Sequence, residues 1–343
     1  MVTSKVAHFV GLDYHQDEIQ VCILDRKGAM IANKKLPNDV AILDHFVRRH
    51  CTHFQVSIEA CTGAAALGDE LRHQYHWDIR QAHAGYVSRM KQSPDKTDYS
   101  DARILADLVR VDYLPEVWLP PVYIRHLRSL VRRRDQLVKD RTREKLRLRA
   151  LLRNYRLVPP GKAWSQSWLA WLTDSDEIPD DITFVLEDLL DSIKRLTEKM
   201  DHMLDRLASM TKDDPLVKLL LRQTGVGTVT AVVMRSEIGD FSRFQNGKQL
   251  SNFCGVSPRN VSSGNRQATS GLILAGSPLL RCVLIEAAHR LARYDDHWRG
   301  LFKRLHGKKH KPKCVAVAAV ANRWVRRLFH QVMESLNQSQ LAA

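Results

Sequence analysis

The chain has 343 residues, of which 53 are Lys or Arg and 38 are Asp or Glu, and its formal net charge is +15 at pH 7. A basic excess of this size favours a polyanionic partner. The longest late apolar run, residues 315–321, is too short to span a bilayer, and we find no secretory core or amphipathic anchor, so we expect no membrane partner.

The cysteines and histidines show no metal-ligand spacing. None of the six cysteines belongs to a Cys-x-x-Cys pair, which disfavours both a zinc site and a disulfide framework. We therefore expect reduced thiols in a cytoplasmic protein, and no metal site built on histidine.

The first third of the chain predicts a mixed α/β sheet. Strands are predicted for residues 8–13, 18–25 and 29–36, followed by a helix at 38–49 and a strand at 54–59. A helix at 64–75 and a short strand at 77–81 complete the series. Three meandering strands followed by strand–helix units resemble the ribonuclease-H-like nuclease fold.

Acidic residues end two of these strands and begin the next predicted helix. Asp13 and Glu59 end apolar runs. Asp98 and Asp101 lie three residues apart, on one face of a helix. Taken singly, each has an ordinary explanation as a strand-end acid, a helix cap or a dipole partner. Together they predict a site for Mg²⁺ or Mn²⁺ acting on nucleic-acid phosphates, because clustered carboxylates repel one another unless a cation lies between them.

A long basic helix is predicted for residues 123–155, after prolines at 115, 120 and 121. It carries 12 Lys or Arg and three acids. A helix so one-sided in charge repels itself unless a polyanion lies along it. We predict that it binds the nucleic-acid backbone through Arg132, Arg133 and Arg134. The alternative is a solvated charged face.

A heptad pattern follows in residues 182–207. Its apolar residues alternate four and three apart, at Ile182, Leu186, Leu189, Ile193, Leu196, Met200, Met203 and Leu207. Such a seam packs against another helix. That helix could be the basic helix of the same chain, in an antiparallel hairpin, or one from another subunit, and the sequence leaves both open.

The last part begins near residue 214 with a helix-hairpin-helix pattern. Gly225 and Gly227 form a connector that can point backbone N–H groups at a phosphate, although Gly-x-Gly also joins packed helices without a ligand. A Gly/Ser-rich loop spans residues 260–266, and helices are predicted for 278–293 and 313–329. These breaks predict domains of residues 1–118, 119–212 and 213–343.

These motifs together resemble the insertion-sequence transposases in which a RuvC-like DEDD domain precedes a serine-bearing transposase domain, the bridge-RNA-guided recombinases. The resemblance covers nearly the whole chain. It is carried by Gly11-Leu-Asp13, by Ile58-Glu-Ala60, by Lys96-Thr-Asp-x-x-Asp-Ala-Arg103, and by Phe253-x-Gly-x-x-Pro-Arg259 followed by Ser263-Gly264. One departure is Thr224, which stands where the family usually has Pro before the hairpin glycine.

The resemblance implies an α/β RuvC-like N-terminal domain, a helical coiled-coil middle and a mostly α C-terminal domain with a helix-hairpin-helix. It implies that the four acids are catalytic and hold Mg²⁺, which activates the serine. The catalytic serine corresponds to Ser263, or to Ser262 if the loop alignment shifts by one. Arg259 and Arg266 are expected to steady the scissile phosphate.

The implied partners are donor and target DNA, a structured guide RNA, and further copies of the chain in a dimer or tetramer. The implied location is the nucleoid of a prokaryotic cytoplasm. Two alternatives remain open. One is a metal-dependent, structure-specific nuclease similar to a Holliday-junction resolvase, which uses the acids alone. The other is a non-catalytic coiled-coil scaffold that binds nucleic acid.

Overall fold

The computed structural model describes residues 6–90, 97–260, 269–274 and 276–341. The chain divides into two compact units, Met1–Leu119 and Pro120–Ala343. Among the described residues, no helix combines the length and the apolar character needed to cross a bilayer. The three-domain division expected from the sequence stays a prediction.

The first unit contains five strands and four helices in its described part. In chain order these are β1 His8–Tyr14, β2 Glu18–Asp25, β3 Met30–Pro37, α1 Val40–His50, β4 Phe54–Glu59, α2 Ala64–Tyr75, β5 Ile79–Ala82, α3 Ala84–Met90 and α4 Asp98–Arg110.

The five strands form one sheet in the order β3-β2-β1-β4-β5. The first three strands pair antiparallel, whereas β4 is parallel to β1 and β5 is parallel to β4. The predicted mixed α/β sheet is confirmed, with boundaries shifted by one or two residues. Its assignment as a RuvC-like domain stays a prediction.

Helices cover both faces of the sheet, which is why β1 and β2 are apolar almost throughout. Helices α1 and α2 bury Leu43, Val47, Leu67 and Leu71 against one face. On the other face, Ala102 and Ala106 of α4 pack against Cys22 and Leu24 of β2. The sheet is therefore the middle layer of three.

Helix α4 approaches strand β1 unusually closely. A Cβ atom on Gly11 would fall 1.9 Å from the carbonyl oxygen of Ala102, so only glycine allows this contact. The hydroxyl of Ser57, buried in β4, donates to the carbonyl of Leu105 at 2.7 Å. These two contacts fix α4 against the strands that carry Asp13 and Glu59.

The second unit is mostly helical. Its described elements are α5 Val122–Asn154, α6 Gln166–Asp174, α7 Asp180–Thr211, α8 Pro215–Leu221, α9 Thr228–Ile238, α10 Gly247–Phe253, β6 Pro258–Asn260, β7 Thr269–Leu272, α11 Pro278–Tyr294, α12 Asp296–Lys303, a π-helical turn Arg304–Lys308 and α13 Lys313–Leu341.

Helices α5 and α7 form an antiparallel hairpin. Tyr123, at the start of α5, donates to the carbonyl of Met210 near the end of α7 at 3.4 Å. At the other end, Leu152 packs in one cluster with Ile182 and Leu186. The most buried residues of the heptad seam thus pack within the chain, which is one of the two arrangements that the sequence left open. A role of the seam in joining subunits stays a prediction.

The C-terminal part is built around α9, α11 and α13. Asp214 caps α8 through Oδ1 and accepts from Arg235 Nε of α9 at 2.6 Å through Oδ2, which fixes the hairpin between these helices. The sequence did not predict α12 or the β6–β7 ribbon, and α13 extends to Leu341, beyond the expected end at residue 329.

Candidate metal centre and nucleic-acid surfaces

Two of the predicted metal ligands lie at the same edge of the sheet. Asp13 is the last but one residue of β1, and Glu59 is the last residue of β4. The strands are parallel neighbours whose register pairs Leu12 with Ile58. The two acids follow these paired residues directly, so their side chains project to the same face of the sheet.

Helix α4 supplies the other two acids from its first turn. Thr97 caps the helix, because its hydroxyl accepts from the backbone N–H of Ser100 at 3.2 Å. Asp98 is therefore the first helical residue rather than the cap, so the cap explanation of this acid does not apply. Asp101, one turn later, is buried with 5% of its surface exposed.

The charges of the other three acids act on Asp13. Burial raises the pKa of Asp13, and His15 opposes this rise. The negative charges of Asp101, Asp98 and Glu59 then raise the pKa further. The three acids therefore lie near enough to repel Asp13, as expected of carboxylates grouped to hold a cation.

Two basic side chains that the sequence did not single out, those of His15 and Lys35, border this site. His15 Nε2 lies 3.5 Å from Asp13 Oδ2 and 3.4 Å from Asp98 Oδ1. Lys35 Nζ of β3 lies 3.3 Å from Asp98 Oδ2 and 2.5 Å from Glu18 Oε1. Burial acts to raise the pKa of Asp98, but the hydrogen bonds from Lys35 and His15 hold this pKa below its usual range.

The donor set fits a hard divalent cation. One ligand atom each from Asp13, His15 and Asp98 lies within 4.8 Å of the others. Glu59 and Asp101 do not belong to this group, although their charges act on Asp13. Carboxylate oxygens are the ligands that Mg²⁺ and Mn²⁺ prefer. His15 departs from the expected all-oxygen set. The sequence feature that could have identified His15 is its position two residues after Asp13, directly after the end of β1.

The three arginines predicted to bind nucleic acid differ in environment. Arg132 Nε lies 3.1 Å from Glu237 Oε1 of α9, and the Glu237 side chain is only 6% exposed. Arg134 is half-buried, and burial lowers its pKa. Arg133 is exposed and donates to Gln136 Oε1 at 3.3 Å. Arg133 is therefore the member of this triplet best placed to meet a ligand.

Part of the positive charge on α5 has carboxylate partners within the chain. Ion pairs one turn apart join Lys139 to Asp135, Arg143 to Asp140 and Arg147 to Glu144. The facing helix α7 is itself rich in Asp and Glu. The protein thus relieves part of the repulsion along α5 without a polyanion, and nucleic-acid binding by this helix stays a prediction.

Gly225 and Gly227, the two connector glycines, differ in their surroundings. Gly225 has φ +81°, and a Cβ atom there would fall 2.8 Å from Cβ of Arg290 on α11. Gly227 precedes the first turn of α9 and faces open space. Gly225 is thus required by packing, whereas Gly227 leaves the start of α9 accessible.

The predicted serine-bearing loop lies between β6 and β7 in the sequence. Ser263, its neighbour Ser262 and Arg266 fall outside the described residues, whereas Arg259 of β6 is exposed. The base of the ribbon is fixed on both sides. Asn322 of α13 donates to Ser257 Oγ at 3.0 Å, and Arg281 of α11 donates to the carbonyl of Ile273 at 2.9 Å.

Two family models match the chain. A model described as a transposase, of the DEDD type of IS110, matches residues 10–157. A second model, described as the transposase IS116/IS110/IS902 family, matches residues 217–303. The first match contains all four acids, and the second contains the connector glycines and the serine loop.

Several curated relatives resemble the chain over most of its length. A probable family 20 transposase of Pseudomonas aeruginosa is 25% identical over 93% of this chain and 95% of the relative. The transposase for insertion sequence element IS1111A of Coxiella burnetii is 26% identical over 85% of this chain and 80% of its own length. The transposase for insertion sequence element IS1328 of Yersinia enterocolitica is 22% identical, with coverages of 92% and 94%.

Proposed function

The chain belongs to the insertion-sequence transposases of the IS110 type, enzymes of DNA strand cleavage and rejoining, and from this premise we propose that it cuts DNA with a divalent-metal site and a serine nucleophile. The metal ligands are Asp13, Glu59, Asp98 and Asp101. The nucleophile is Ser263. The observation that carries the metal site is the grouping of ligand atoms of Asp13, His15 and Asp98 within 4.8 Å of one another.

Mg²⁺ or Mn²⁺ bound by these acids would polarise a phosphate and stabilise the leaving oxygen. The chain positions the acids through two rigid supports, the parallel pair β1–β4 and the first turn of α4. Lys35 holds Asp98 from the side of β3. Lys35 and His15 are therefore positioning residues in this proposal, since each contacts a ligand carboxylate.

The serine conserves the energy of the phosphodiester bond for rejoining. Ser263 Oγ attacks phosphorus and forms a phosphoserine ester, and the displaced deoxyribose oxygen takes up a proton. A hydroxyl from a second strand then attacks the same phosphorus and releases the serine. The firm attachment of the ribbon base by Asn322 and Arg281 supports this role, because a nucleophile on a loop needs a rigid scaffold.

The proposed partners are donor and target DNA, a structured guide RNA, and further copies of the chain. Guide RNA and oligomer follow from the family resemblance alone. Sequencing the nucleic acid that co-purifies with the protein tests for a guide RNA. A discrete structured RNA supports guidance, and random cellular RNA contradicts it.

Trapping of a covalent protein–DNA adduct tests the serine. We expect an adduct that maps by mass spectrometry to Ser263, and we expect Ser263→Ala to abolish both the adduct and strand exchange. Ser262→Ala is the matched control, because it removes the neighbouring hydroxyl. An adduct on Ser262 would show that Ser262, not Ser263, is the nucleophile. Strand exchange by Ser263→Ala without any adduct favours a metal-only mechanism, in which a DNA hydroxyl attacks the phosphate directly by transesterification.

A further inference from the structure

The connection between α12 and α13 is strongly basic. Residues 297–333 contain ten Lys or Arg and no Asp or Glu. Six of these ten cluster in residues 303–313, here called the basic connector, where all six are exposed: Lys303, Arg304, Lys308, Lys309, Lys311 and Lys313. The basic connector therefore carries an uninterrupted positive charge.

The basic connector differs from α5 in having no counter-charge nearby in sequence. On α5, carboxylates one turn away pair with Lys139, Arg143 and Arg147. Among the described residues, no carboxylate forms an ion pair with a side chain of the basic connector. Like charges grouped in this way cost free energy unless a polyanion lies beside them.

The backbone of the basic connector is folded rather than extended. The N–H of Lys309 donates to the carbonyl of Arg304 at 3.1 Å, and the N–H of Lys311 donates to the carbonyl of Leu305 at 3.0 Å. The His306 ring nitrogen Nδ1 lies 2.9 Å from the carbonyl oxygen of Lys311. The lysines are thus held on a defined turn, which lowers the entropy lost on binding.

The basic connector ends at the start of α13, where Cys314 and the β6–β7 ribbon line the same groove. The first residues of α13 and the ribbon strands together line an open groove, whose walls include Cys314, Ala318 and Arg323 on one side and Pro258 and Gly271 on the other. The lining is mostly apolar, and Arg323 adds a positive charge to it. A DNA strand that is bound by the basic connector and continues along this groove would reach the base of the β6–β7 ribbon.

We propose that the basic connector binds the phosphate backbone of DNA beside the serine-bearing ribbon. The proposal rests on the proposed function, since the choice of DNA over RNA follows from a serine that cuts DNA. The chemistry is non-specific phosphate contact by lysine, so the basic connector sets affinity and position but reads no sequence.

Changing Lys308, Lys309, Lys311 and Lys313 to Gln tests this role in the full chain. Affinity for a duplex DNA is measured by fluorescence anisotropy across a salt series, with EDTA present so that no cleavage occurs. Each lost phosphate contact lowers the slope of log K against log salt by about 0.9. We expect the slope to fall by about 2 to 4, and the affinity near 0.15 M salt to fall on the order of 10-fold or more.

The matched control removes the same charge from α7, by changing Lys194, Lys199, Arg195 and Arg206 to Gln. These four side chains are also exposed, but they are interspersed with acids. A salt slope that falls equally in both variants, or in neither, overturns the proposal. Loss of affinity for a structured RNA with unchanged affinity for DNA overturns it in favour of an RNA surface.

A second measurement uses the unaltered protein. Cys314 is exposed at the junction of the basic connector and α13, whereas exposed Cys282 lies beside the acids Glu286 and Asp135. We expect duplex DNA to slow alkylation of Cys314 severalfold and to leave Cys282 unchanged. Equal rates at Cys314 with and without DNA overturn the proposal. Both measurements report DNA binding and do not depend on Ser263. Strand exchange by Ser263→Ala would therefore refute the serine mechanism and would not affect the proposal for the basic connector.

Discussion

The carbonyl oxygen of Ala102 lies where a side chain on Gly11 would be, 1.9 Å from the position of its Cβ atom. Gly11 is two residues before Asp13, and Ala102 directly follows Asp101. One backbone contact therefore sets the distance between a strand that carries one proposed metal ligand and a helix that carries two others.

We predict that Gly11→Ala destabilises the protein and impairs cleavage, because α4 must move away from β1. Overpacking of this kind costs about 1–3 kcal/mol or more. Thermal unfolding and a cleavage assay measure both effects. Gly68→Ala is the control, since a Cβ atom there meets nothing within 4 Å and replacing a mid-helix glycine gains about 0.5–1 kcal/mol. Full stability of Gly11→Ala would contradict the close contact.

We predict that Asp101→Asn abolishes strand cleavage while DNA binding and folding persist. The amide has the same size but cannot supply the negative charge that a divalent cation requires. Loss of a group that merely supports a ligand costs about 10–100-fold, so loss of a ligand is expected to cost at least that much. Asp107→Asn, on the same helix and paired with Arg110, is the control that should remain active.

We predict that Mn²⁺ or Mg²⁺ raises the unfolding temperature of the protein at neutral pH. A ligand present at 100 times its Kd stabilises the folded state by about 2.7 kcal/mol. Calorimetry should detect Mn²⁺ binding to the wild type and weaker binding to Asp13→Asn. EDTA should stop cleavage and leave DNA binding intact. Equal Mn²⁺ affinity of the wild type and Asp13→Asn would show that Asp13 is not a metal ligand.

We predict that Leu186→Ala destabilises the α5–α7 hairpin without changing the mass of the particle. Leu186 is 2% exposed and packs with Leu152 of the same chain, so its truncation leaves a cavity that costs about 2–5 kcal/mol. Phe184→Ala, at a side chain that is 80% exposed, should leave stability nearly unchanged. A smaller particle in light scattering after Leu186→Ala would show that the seam joins subunits.

The sheet and the positions of its acids could be predicted because both follow from local patterns. Strands buried on two faces read as apolar runs, and acids at the ends of parallel neighbours meet at one edge. His15 and Lys35 could not be found in this way. Lys35 reaches Asp98 only through the register of the β2–β3 pair, which the sequence does not fix.

Other features depend on contacts that no local pattern encodes. A heptad seam has the same sequence whether it meets α5 of its own chain or another subunit. The basic excess on α5 suggested a polyanion, yet part of it is met by acids on α5 itself and by Glu237 of α9. The β6–β7 ribbon was missed because strands of three and four residues are too short to show alternation.

The separation of the acids along the chain has a consequence for biosynthesis. Asp13 and Glu59 emerge from the ribosome well before α4, which closes the sheet and brings the second pair of acids. A nascent chain shorter than about 110 residues lacks the complete helix, so it cannot assemble the proposed metal site. Because domains fold as units from the N-terminus, the first unit, which ends at Leu119, can bring the four acids together before the ribosome has translated the codon for Ser263.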